Sequence, residues 1–155
     1  KNLIKLIKKY WNLNPGFLLR SIITKILIKY DLSDTKLINE IIKNNANLEE
    51  SKKLLIFFAI KNSKWDIARK NIIGMIGSNP SKEICYFMSD IELGENNDKQ
   101  KSDSWLMRAE NANEESSWIC KISNQSQEEW TSLSNSGNYN SLVWTSPKML
   151  RQNIN

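Results

Sequence analysis

Apolar residues recur at helical spacing from residue 3 to about residue 112, in seven separate stripes. Leu3, Ile4, Leu6, Ile7, Tyr10 and Trp11 form the first stripe. Phe17, Leu18, Ile22, Ile26 and Tyr30 form the second, opened by Pro15, which suits the first turn of a helix. Asp34 is placed to cap a third helix carrying Leu37, Ile38, Ile41 and Ile42. Leu54, Leu55, Phe58 and Ala59 mark a fourth helix, and Trp65, Ala68, Ile72 and Met75 a fifth that stops at Asn79-Pro80. Ile84, Phe87, Met88 and Ile91 start a sixth; a polar link from Glu95 to Lys101 then leads to a seventh bearing Trp105, Leu106 and Ala109. After Asn113 the helical period vanishes, and Ser, Asn, Gln and Trp dominate up to Pro147. Trp118, Ile119, Trp130, Leu133, Tyr139, Leu142 and Trp144 are the apolar anchors there. Ser134 to Gly137 reads as a tight turn before a short extended run at Leu142-Val143-Trp144.

The helix connections recur. Asn14-Pro15, Asn45-Ala46 and Asn79-Pro80 each precede a helix, at intervals of 31 and 34 residues. A period near 34 is that of the tetratricopeptide repeat, in which stacked helix pairs bury stripes that neither helix could bury alone. With Pro80 closing a repeat, Ala68 takes the small position where paired helices touch, and Ile72 the bulky position after it. The expected fold class is therefore all-α: a tetratricopeptide-repeat-like helical solenoid over residues 1–112. A small Trp-rich, β-containing C-terminal cap over 113–147 and a disordered tail over 148–155 complete the expected organisation. Three tryptophans with few other apolar residues cannot build an independent core, so the cap is expected to pack on the last helices. Trp118, Trp130, Gly137 and Trp144 are its expected structural residues.

Composition narrows the chemistry. The chain has 155 residues and 40% apolar content, enough for one domain with a real core. Histidine is absent, which removes the Ser-His-Asp triad, the Cys-His pair and His-ligated zinc or haem iron. Cys85 and Cys120 lie too far apart in sequence for a CxxC site. Asn, Ile and Lys contribute 20, 20 and 18 residues, a bias that AT-rich codons produce, so part of the lysine excess is genomic rather than designed. The charge is uneven: residues 1–75 hold 15 Lys/Arg against 6 Asp/Glu, whereas residues 76–155 hold 7 against 11. A basic half can face anionic lipid, nucleic acid or an acidic partner. No run reaches the roughly 18 apolar residues of a membrane span. The chain begins with lysine in mid-pattern, as a piece of a longer protein would.

The tail spells Ser117-Trp-Ile-Cys120, Glu129-Trp130, Ser134-Asn-Ser-Gly137 and Tyr139-Asn-Ser-Leu142-Val-Trp144 before Pro147. This order resembles the carboxy-terminal end of the bacterial HemY-type tetratricopeptide proteins. Lys9-Tyr-Trp11-Asn-Leu13-Asn-Pro15, Lys64-Trp65-Asp-Ile-Ala68-Arg69, and Phe87-Met88-Ser-Asp-Ile91-Glu with Trp105-Leu106-Met-Arg-Ala109 resemble that family's repeat segments upstream. Some members carry four tail cysteines as a zinc-ribbon-like knuckle. Here Cys120 alone remains, which cannot make a tetrahedral zinc site, so no metal and no cofactor is expected. The resemblance implies an inner-membrane protein with two amino-terminal membrane helices, a domain on the cytoplasmic face and a tie to haem biosynthesis. Membrane contact would run through a missing N-terminal anchor.

Function is weighed on the same residues. Glu49, Glu50 and Glu83 are carboxylates with no nucleophile or phosphate loop beside them, and no GxGxxG, GKS/T or HExxH occurs, so no enzyme is expected. Lys5, Lys8, Lys9, Lys25 and Lys29 would follow a phosphate backbone, but arginine totals only four and nucleic acid is not expected. The leading reading is a non-enzymatic protein–protein interaction scaffold whose partners include haem-biosynthesis enzymes. On the repeat register Lys53, Phe57 and Lys61 share one helix face and would clamp an acidic or apolar peptide. The alternative is a tetrapyrrole carrier that seats haem or porphyrin in an apolar groove, lysines meeting its propionates.

Overall fold

The computed structural model describes residues 2–112 and the segments 117–120, 126–127 and 142–145. Among the described residues seven helices form: α1 (Asn2–Leu13), α2 (Phe17–Lys29), α3 (Thr35–Ile42), α4 (Glu49–Lys61), α5 (Trp65–Ile76), α6 (Lys82–Asn96) and α7 (Lys99–Asn111), with a 3₁₀ turn at Lys43–Asn45. Asp34 caps α3 as its position predicts, accepting from the Lys36 amide at 3.0 Å. Ser81 and Asp98 do the same for α6 and α7. Pro15 stands before α2 rather than inside it, with Gly16 at the N-cap.

Each helix buries one face, but in α2 it is not the expected stripe: Ile23 and Leu27 turn inward, while Phe17, Leu18, Ile22 and Tyr30 are exposed. Ile7 and Trp11 of α1, Ile23 and Leu27 of α2, Ile38, Ile41 and Ile42 of α3, and Leu54, Leu55 and Phe58 of α4 build a first core. Ile56 and Ala59 of α4 meet Ala68 and Ile72 of α5 and Ile84, Phe87, Met88 and Ile91 of α6 in a second. Phe57 and Ile67 pack against both cores, so α4 is the wall they share. Trp11 is fully buried, and its indole N–H donates to Ser51 Oγ at 2.9 Å. Ser51 Oγ donates to Asn45 Oδ1, and Asn45 Nδ2 returns to the Trp11 carbonyl, closing a polar ring over α1, the 3₁₀ turn and α4. A buried indole and hydroxyl without such partners would each cost about 1–3 kcal/mol.

The tetratricopeptide-repeat-like solenoid is corrected by these contacts. The helices form an all-α bundle of seven whose contacts do not repeat. α4 with α5 and α6 with α7 are close neighbours, but at the other end α1 packs on α3, α2 leans on α4, and α2 with α3 is no comparable pair. The physical reason lies in the stripes. A period near 34 places connections at regular intervals, yet among the described residues the outer apolar residues of α1 and α2 meet no second layer, so the stacking rule of a solenoid is not met. The helical-repeat description falls with it.

Three short strands, β1 (Ser117–Cys120), β2 (Ser126–Gln127) and β3 (Leu142–Thr145), pair antiparallel in the order β2-β1-β3. Trp118 is in register with Trp144. The expected packing of this segment on the last helices rests on side chains outside the described residues. Trp130, Gly137 and the tail 148–155 lie outside the described residues.

The polar link expected over Glu95 to Lys101 is shorter than its composition implies, because α6 runs on to Asn96 and α7 starts at Lys99. Asn97, in a left-handed conformation (φ 51°), makes the turn. Gly94 therefore lies inside α6. Its missing side chain admits the Trp65 indole, whose Cη2 and Cζ2 occupy the place a Cβ would need. Gly74, inside α5, has open space in that direction. Gly94→Ala should destabilise the fold by about 1–3 kcal/mol through overpacking. Gly74→Ala should stabilise it by roughly 0.5–1 kcal/mol through helix propensity. Urea unfolding of the two variants checks both signs.

Candidate functional site

Four charges meet where α2, α4 and α6 converge. Arg20 sits on the α2 face that also carries Ile23 and Leu27, so its guanidinium is turned inward rather than to solvent. Nε donates to Glu50 Oε2 at 2.6 Å, and Nη1 and Nη2 donate to Glu83 Oε1 and Oε2 at 2.6 and 3.1 Å. The fork onto Glu83 is bidentate, the strongest geometry available to an arginine–carboxylate pair. Lys53 Nζ lies 3.5 Å from Glu83 Oε2 and 3.8 Å from Glu50 Oε1. Two cations and two carboxylates thus balance. Burial works against the Arg20 charge, but the hydrogen bonds and attraction of Glu83 and Glu50 outweigh it, leaving the guanidinium pKa raised.

Beside this cluster is a hollow of about 200 Å³ lined by Glu49, Lys53, Met75, Ser81 and Ile84. α4 supplies the first two, the end of α5 Met75, and the start of α6 the last two. Its wall is mixed: a thioether and an aliphatic side chain opposite a hydroxyl, an ammonium and a carboxylate. Such a lining can hold one apolar group and hydrogen-bond one polar atom next to it. It offers no histidine or thiol to a metal, and no cluster of three metal-ligating side chains occurs among the described residues.

The expected clamp residues are placed differently from one another. Lys53 is buried, 2% exposed, between the two carboxylates and at the edge of the hollow. Phe57 is half-buried, joins both cores, and meets Phe58 edge-on at 5.1 Å between ring centroids. Lys61 is exposed at the end of α4. The structure brings Lys53 alone of the three to the hollow. Sequence reasoning missed Arg20 and assigned no structural role to Glu50 and Glu83. The signal was present: Arg20 stands three and seven residues before Ile23 and Leu27, a lone charge on an inward face. A second ion group joins α5 to α6, where Arg69 reaches Glu95 at 2.5 Å and Glu92 at 3.4 Å. Glu95 above all raises the Arg69 pKa, burial opposes, and Glu92 adds to the rise.

Cys85 is fully buried on α6, as the small apolar residue its neighbours imply. Burial pushes its thiol pKa up, and the Arg108 charge only partly opposes that. Comparison with protein-family models, curated proteins and solved structures finds no match to the chain. The tail resemblance accordingly rests on its residues alone.

Removal of Glu83 would leave Arg20 and Lys53 against a single carboxylate. Glu83→Gln should therefore lower stability by about 2–3 kcal/mol. Glu50→Gln should cost less, since the bidentate fork survives; denaturant titrations of both variants test the ranking. For Cys85 the native pKa lies above that of the unfolded chain, so thiolate appears only as pH rises beyond the ordinary thiol range. In a Cys120→Ser background, iodoacetamide should alkylate native Cys85 on the order of 100-fold slower at neutral pH than in denaturant. Equal rates would contradict the buried placement.

Proposed function

We propose that the chain is a non-enzymatic docking module, a scaffold that holds a segment of another protein at the α4–α5–α6 hollow. The observation that supports this reading is the hollow itself, set against helices that the Arg20–Glu50–Lys53–Glu83 cluster ties together. Its volume, about 200 Å³, is below the roughly 300–1,000 Å³ of small-molecule and cofactor sites. One side chain fits that space better than a tetrapyrrole does. Met75 and Ile84 would take an apolar anchor, while the Ser81 hydroxyl would donate to a carbonyl beside it. From the tail's resemblance the proposal adds a partner in haem biosynthesis and a setting at the bacterial inner membrane.

A random peptide library selected against the purified chain should enrich sequences that carry one apolar anchor residue at a fixed position. Binding should move the backbone amide resonances of Lys53, Met75 and Ser81. Met75→Trp, which fills the hollow from a half-buried position, should weaken the selected peptides at least tenfold without loss of fold. Selected peptides that ignore the hollow would sink the site. A saturable Soret change with haem that competes with no peptide would shift the assignment to a tetrapyrrole carrier.

A further inference from the structure

The outer faces of α1 and α2 combine exposed apolar side chains with lysines. On α2, Leu18, Ile22, Lys25 and Lys29 follow one another at spacings of four, three and four residues, all exposed and along one stripe. On α1, Leu6, Tyr10 and Leu13 form a second exposed stripe, 49, 52 and 70% accessible, with Lys5 and Lys9 beside it. No Asp or Glu precedes Asp31, so no carboxylate of these two helices neutralises either stripe. Arg20 is turned the other way, into the ion cluster. Eight of the thirteen residues of α2 are apolar, and they lie on more than one face, yet only Ile23 and Leu27 are fully buried.

We propose that this α1–α2 surface docks onto an anionic lipid surface. Lysines lie within the α2 stripe and not merely at its rim, which suits an interfacial helix whose lysine stems lie among apolar chains while their ammonium groups reach the headgroups. The centre of a protein–protein patch excludes charge instead. A symmetric contact with a second copy would set the same cations against themselves. No helix among the described residues is long and apolar enough to cross a membrane, so the contact is peripheral. It uses helices other than those lining the hollow and does not depend on that site.

Co-sedimentation of the full chain with phosphatidylcholine vesicles, with and without one-quarter phosphatidylglycerol, is the test. Binding should be at least tenfold tighter on the anionic vesicles and should weaken as salt rises. Lys25→Glu/Lys29→Glu and Leu18→Ser/Ile22→Ser should each lower it at least tenfold while circular dichroism stays unchanged. Lys99→Glu/Lys101→Glu on α7, the same change in net charge, should leave it intact. Equal binding to both vesicle types, no binding to either, or an equal loss from the α7 pair would overturn the proposal. Self-association abolished by the α2 substitutions, or a vesicle-independent complex with an acidic amphipathic peptide on this face, would assign it to a protein occupant instead.

Discussion

α4 is enclosed on most of its circumference, and the arrangement of the rest follows from what that enclosure demands. Seven of its thirteen residues are buried, and two of those, Ser51 and Lys53, are polar. A helix so covered must find its hydrogen-bond and charge partners among its neighbours, since water cannot supply them. Ser51 meets the Trp11 indole and Asn45; Lys53 meets Glu50 on its own helix and Glu83 on α6. The demands of one helix thus determine where α1, the 3₁₀ turn and α6 must lie.

The ion cluster also settles how α2 is held. Its apolar residues are divided between an inner face and an outer one, so burial alone would favour its position only weakly. Arg20 adds direction: a forked contact to Glu83 and a single one to Glu50 set the rotation of α2 about its axis. A balanced set of two cations and two carboxylates avoids the large penalty of an unpaired charge in a dry place. The cluster's value is specificity of arrangement more than net stability.

The helices were legible because their signals are local. Apolar spacing, Asp34 before α3 and Asn79-Pro80 after α5 each act within a turn or two of where they stand. The way the helices assemble was not legible, because recurring connections constrain loops and leave open which faces meet. The composition of Glu95 to Lys101 misled for a related reason: polar residues on an exposed helix end look like a linker until Trp65 is seen lying over Gly94. In the candidate site, the repeat register puts Lys53 on a groove face, whereas it is buried in an ion cluster whose Arg20 and Glu83 come from helices about thirty residues away in either direction. Phe57 and Lys61 share its helix, but their environments are decided by the second core and by the helix end.

The wall shared by the two cores has a consequence for how the molecule opens. An amide in the middle of α4 cannot exchange its hydrogen by the detachment of one neighbour, because the other core still covers it. Its exchange should follow only the cooperative unfolding of the whole helical part. α7 stands at the other extreme: Ser102 and Ala109 are its buried residues, and it rests on α6 along one side. Its Trp105 packs on the second core, so its opening loosens that core while the first persists, a hierarchy of protection written into one helix having two interiors to serve.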